Sequence, residues 1–76
     1  MLNRISLTLD PRPEVLERVL RVVRHRGFKV TKMNMQLDGS KRANVDIRVE
    51  SERNIELLTK QLDKLVDVIE CSVLEY

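Results

Sequence analysis

The groups able to do chemistry here are few: one histidine, His25, one cysteine, Cys71, and 12 carboxylates dispersed among 14 lysines and arginines in 76 residues. Catalysis by a nucleophile with its base, by a carboxylate pair or by a bound metal needs such groups clustered. His25 falls on the charged side of a helical pattern near its end, where a solvated or dipole-stabilising role fits. Cys71 lies in an apolar strand-like run and reads as a small core residue. A lone cysteine makes no internal disulfide and no multi-cysteine metal site, and it suits a reducing compartment. Gly27 and Gly39, the two glycines, sit at a cap and a turn, which leaves no glycine-rich phosphate loop. The chain is therefore expected to be non-catalytic, with no metal or cofactor of its own.

The remaining chemistry is charge. "PRPEVLERVLRVVRHRGF", residues 11–28, holds five arginines and His25. Val15, Leu16, Val19, Leu20 and Val23 recur at helical spacing, so this is an amphipathic helix with Pro13 in its first turn and Gly27 as its C-terminal cap. Glu14, Glu17, Arg18, Arg21, Arg24 and His25 fall on the opposite side. Glu14 with Arg18, and Glu17 with Arg21, stand in the favourable acid-first order, and Arg24 and Arg26 complement the helix dipole. Residues 1–32 carry eight Lys/Arg against three Asp/Glu, and residues 46–76 four against eight, a dipolar surface that can steer association with a charged partner or a second copy.

The elements that position these groups follow from periodicity. "RISLTLD" alternates Ile5, Leu7 and Leu9 with polar residues and predicts a strand. "FKVTKMNMQL" predicts a second strand whose phase shifts: Phe28 and Val30 mark one face, Met33, Met35 and Leu37 the other. A bulge would turn the methionines inward, and without one they form an outward apolar patch able to bind protein. "DGSKR" is a turn, and "NVDIRVE" a third strand with Val45, Ile47 and Val49 inward. Ser51 is the expected N-cap of a helix carrying Ile55, Leu58, Leu62 and Leu65, and "VDVIECSVLEY" is a last strand with Ile69, Cys71 and Val73 on one side.

The order β-α-β-β-α-β predicts an α+β, ferredoxin-like fold, a four-stranded antiparallel sheet with two helices on one face, forming a single domain over residues 1–76. RNA-recognition domains share this order but stack bases on aromatic sheet residues, whereas Ser6, Thr8, Asp46, Arg48 and Glu50 hold the outward positions of the central strands. Nucleic acid is not an expected partner. Apolar runs are far below the roughly 20 residues of a membrane span and residues 1–10 lack a signal-peptide core, so a cytoplasmic protein without a membrane partner is expected.

"LERVLRVVRHRGFKVTKMNM" and "NIELLTKQLDKLVDV", in this order of elements, resemble the small regulatory subunits of acetolactate synthase (acetohydroxyacid synthase), in the short form of isozyme II. The resemblance runs over essentially the whole chain and implies an ACT domain. It implies a non-catalytic partner of a large subunit that holds thiamine diphosphate, magnesium and FAD and makes acetohydroxy acids for valine, leucine and isoleucine. The small subunit stabilises and activates the large one. A free-standing ACT-type amino-acid sensor and an RNA-binding module are the alternatives.

Effector-binding members carry Asn-x-x-Gly where the first loop meets the first helix, and Asn after "RG(F/Y)". Pro11, Glu14 and Lys29 hold those places. Pro11 has no N–H to donate, Glu14 replaces a glycine with bulk and negative charge, and Lys29 cannot accept from an ammonium. The resemblance thus implies an effector loop that does not bind valine. Longer members continue into a second domain, whereas this sequence runs to Tyr76. Arg18, Arg21, Arg24, His25, Arg26, Met33 and Met35 are the expected partner-binding residues, and ACT pairing implies a homodimer as well.

Overall fold

Alternation builds the centre of the molecule. Ile5, Leu7 and Leu9 are buried on one face of β1 (Leu2–Leu9), as are Ala43, Val45, Ile47 and Val49 on β3 (Ala43–Glu50). A computed structural model of the chain describes residues 1–39 and 41–74. Ser40 of the predicted turn, and Glu75 and Tyr76 at the end of the predicted last strand, lie outside the described residues. The remaining elements are α1 (Pro13–His25), β2 (Lys29–Leu37), α2 (Glu56–Asp63) and β4 (Val68–Leu74). The order is the one expected, and all pairings are antiparallel in a sheet ordered β2-β3-β1-β4.

Both helices bury their apolar stripes in one core with the inward side of the sheet, through Val15, Val19 and Val23 of α1 and Leu58 and Leu62 of α2. The other face of the sheet is polar. There the Arg4 guanidinium donates to both carboxylate oxygens of Asp46, at 2.9 and 3.1 Å from Nε, and this contact holds the Asp46 pKa below the ordinary carboxylate value.

Helix α1 ends in a complete Schellman motif. The Phe28 N–H donates to the Val23 carbonyl and the Gly27 N–H to the Arg24 carbonyl, both at 3.1 Å. Gly27 takes φ +85°, and a Cβ there would lie 2.9 Å from Arg53 Nε. Gly27→Ala is expected to lower unfolding free energy by about 1–2 kcal/mol, the usual penalty for a side chain in the left-handed region. Urea unfolding measures it, and an unchanged midpoint would contradict the assignment.

Three local expectations are corrected. Ser51 does not cap α2; its Oγ donates to the Gly27 carbonyl and accepts from the Arg53 N–H, tying the end of α1 to the β3–α2 connection. Asn54 Oδ1 accepts the Glu56 N–H at 2.9 Å and starts the helix instead. Helix α2 stops at Asp63, and Leu65 packs on the core from the following turn. In β4 a register shift opposite Thr8 and Leu9 makes Ile69 the extra residue: Val68 pairs with Leu9 and is buried, while Ile69 is 50% exposed. Cys71 and Val73 keep the expected face, opposite Leu7 and Ile5.

Strand β2 contains the bulge that its changing phase suggested. The register shifts between Val30 and Lys32, so Met33, Met35 and Leu37 pair with Ile47, Val45 and Ala43 on the helix side of the sheet. They are nonetheless 41%, 41% and 67% exposed, because β2 is an edge strand and the helices do not cover its outer side. The row is inward by register and open to solvent by position.

Candidate functional site

Three features gather the singled-out residues. At the turn from β1 to α1, the Asp10 carboxylate accepts the Arg12 N–H at 3.1 Å and closes an Asx turn ahead of the helix. The Arg12 guanidinium then stands among three carboxylates: Asp10 at 3.2 Å, Glu14 at 3.7 Å and Asp67 at 2.9 Å. Charge from Asp10, then Asp67, pushes the Arg12 pKa further up, so this cation is permanent and fully engaged. Arg18 pairs with the other oxygen of Asp67 at 2.6 Å, in place of the Glu14 partner expected from helical spacing. Pro11 is half-buried and Glu14 exposed on this turn.

Lys29 lies at the opposite end. It begins β2 after the C-terminus of α1, roughly 20 Å of helix away at 1.5 Å per residue. Within one chain the fold therefore does not bring Pro11 and Glu14 together with Lys29.

The second feature is a groove between α1 and the start of β2, with a volume of about 710 Å³. Leu20, Phe28 and Val30 form its apolar floor, and Arg21, Arg24 and Lys29 rim it together with one acid, Glu17. His25 and Arg26 are exposed beyond it at the helix end. The third feature is the row of Met33, Met35 and Leu37, on the same outer strand. Groove and row make one apolar edge with a basic border. The groove was not foreseen, and the apolar spacing of Leu20 with Phe28 and Val30 was its available signal; Asp67 had none, since only the fold brings it to Arg12 and Arg18.

Among the described residues no group of three or more His, Cys, Asp or Glu is placed to hold a metal ion, and no helix is long and apolar enough to cross a membrane. Burial, with the nearby Asp63 charge, pushes the Cys71 thiol up to about 11. Its alkylation by iodoacetamide at pH 8 is expected to run on the order of a hundredfold slower than that of an exposed cysteine, and to accelerate as pH rises toward that value. A rate matching free cysteine would contradict the burial.

Comparison with known proteins decides the family. The sequence pattern of the ACT domain matches residues 11–71. The chain belongs to the ACT domain family. This ACT domain is 45% identical over 74 residues to the acetolactate synthase isozyme 2 small subunit of Escherichia coli K12, covering 96% of this chain and 85% of that protein. Its backbone superposes with a TM-score of 0.85 on the acetolactate synthase small subunit of Thermotoga maritima, at 22% identity; 99% of this ACT domain is covered, and it spans 48% of that longer chain. The ACT domain of GTP pyrophosphokinase from Chlorobium tepidum shares the same fold at 13% identity and a TM-score of 0.73, with 97% of both chains covered.

Proposed function

We propose that this chain is the non-catalytic small subunit of an acetolactate synthase, which activates and stabilises a large catalytic subunit in branched-chain amino acid biosynthesis and does not respond to valine. The observation that carries the reading is the 45% identity to the E. coli isozyme 2 small subunit across 96% of the chain. Thiamine diphosphate, magnesium and FAD then reside on the large subunit, and the complex is cytoplasmic, without nucleic acid or membrane. The chain acts as one ACT domain over residues 1–76.

Activation needs no chemistry from this chain. Binding selects the ordered, cofactor-competent state of the large subunit, and a coupling of about 1–3 kcal/mol raises that state roughly 5- to 150-fold. Sedimentation of the chain with a purified acetolactate synthase large subunit should give a complex heavier than either. Its absence removes the reading.

Insensitivity to valine is supported by the first turn. A ligand carboxylate arriving there meets Glu14, finds no N–H on Pro11, and finds the Arg12 guanidinium already surrounded by Asp10, Glu14 and Asp67.

Two surfaces are assigned. The free edge of β2, with Met33, Met35 and Leu37, takes a second copy of the chain in a homodimer, since an uncovered edge strand and apolar row together call for a strand partner. Arg21, Arg24, His25 and Arg26 face the large subunit; Arg18 is committed to Asp67 and contributes less. Replacing Arg21 and Arg24 together by glutamate is expected to lower the association rate with the large subunit about tenfold and to flatten its salt dependence. Stopped-flow binding at two ionic strengths measures both, and unchanged rates would take these two arginines off the interface.

A further inference from the structure

The contact between Asp67 and its two arginines has a geometry beyond that of an ordinary surface ion pair. Arg12 Nη2 donates to Oδ1 at 2.9 Å and Arg18 Nη1 to Oδ2 at 2.6 Å, so each carboxylate oxygen has a donor of its own. The Asp67 side chain is 16% exposed, whereas the Arg12 and Arg18 side chains are each about half exposed. Asp67 comes from the turn between α2 and β4, flanked by exposed Val66 and buried Val68, and its carbonyl accepts the Asp10 N–H at 3.2 Å. One carboxylate thus joins the β1–α1 turn, the first turns of α1 and the lead-in to β4.

We infer that Arg12 and Arg18 form a site for a small carboxylate, which the chain keeps filled with its own Asp67. Two guanidiniums converging on one position leave two charged donors without their acceptor when that carboxylate is gone, and these donors match the two oxygens of a single carboxylate. Asp10 and Glu14 face Arg12 from the Nε side, at 3.2 and 3.7 Å, and leave its Nη2 and the Arg18 Nη1 directed at the vacated position. An internal carboxylate acts at a high effective concentration, so millimolar free carboxylate does not displace it. The site is closed to ligands in the native chain and opens when Asp67 is removed.

Asp67→Ala, which deletes the carboxylate and leaves room for formate, tests this on the chain alone, independently of any partner. Thermal unfolding is compared in sodium formate or acetate and in sodium chloride at equal ionic strength. The variant is expected to melt below the parent in chloride and to recover about 4 °C or more, saturably, in formate or acetate. The parent, and a variant combining Asp67→Ala with Arg12→Gln and Arg18→Gln, should show no such carboxylate-specific rise. If Asp67→Ala is unfolded in chloride, the same titration is followed as regain of far-UV circular dichroism. Equal melting of Asp67→Ala in the two salts, or the same recovery without the two arginines, overturns the proposal.

Discussion

Glutamate at both Met33 and Met35 should turn the proposed homodimer into a monomer. Each methionine is 41% exposed in the free chain, so covering that remainder contributes about 1 kcal/mol per side chain, and two-fold symmetry counts each residue twice. A buried, unpaired carboxylate at the same place adds a desolvation penalty of several kcal/mol. A loss of about 4 kcal/mol or more is expected, roughly a thousandfold or more in the dimer dissociation constant. The fold should survive, because the row lies outside the helix-covered core. Sedimentation equilibrium reads the constant and far-UV circular dichroism the fold. A folded variant that dimerises as tightly as the parent would show that the edge of β2 is not the interface.

Leu7→Ala should be among the most damaging single truncations. Leu7 is fully buried in the central strand, between Val45 of β3 and Cys71 of β4. Removing such a side chain costs about 2–5 kcal/mol in lost transfer energy and an unfilled cavity. A domain of this length is stable by only about 4–11 kcal/mol, so the change consumes a large share of the total. Val73→Ala, on the same face but half exposed at the β4 edge, should alter stability by about 0.5 kcal/mol or less. Urea unfolding of the two variants measures the contrast. Similar midpoints would contradict a core centred on β1 and β3.

These two expectations mark where sequence was sufficient and where it was not. The period of two through Ile5, Leu7 and Leu9 and the cap at Gly27 are local patterns that form as read, and the stripe of α1 buries Val15, Val19 and Val23 while Leu16 and Leu20 stay half-buried. The changing phase of β2 signalled a bulge, but exposure of the methionine row depends on β2 lying at the sheet edge, which the strand order sets. The bulge at Ile69 gave no warning, because Val68 and Ile69 are equally apolar and either could face inward. Ser51 and Asn54 are both good helix starters, and their division of roles follows from how near the end of α1 lies.

The ion pairs were the least legible feature. Arg18 has Glu14 one turn away in sequence, yet it pairs with Asp67, 49 positions on, because folding lays the α2–β4 turn beside the start of α1. The departures at Pro11, Glu14 and Lys29 were visible from residue type alone. What the fold adds is that Asp10, Glu14 and Asp67 already surround the one cation on that turn.

The most direct measurement is the acetolactate-forming rate of a purified large subunit, titrated with this chain in the presence and absence of valine. A saturable rise, within the roughly 5- to 150-fold range of an ordinary coupling energy and unchanged by valine, is the expected result. No rise at all would contradict the assignment as an activating small subunit, and a rise that valine reverses would contradict the closed first turn.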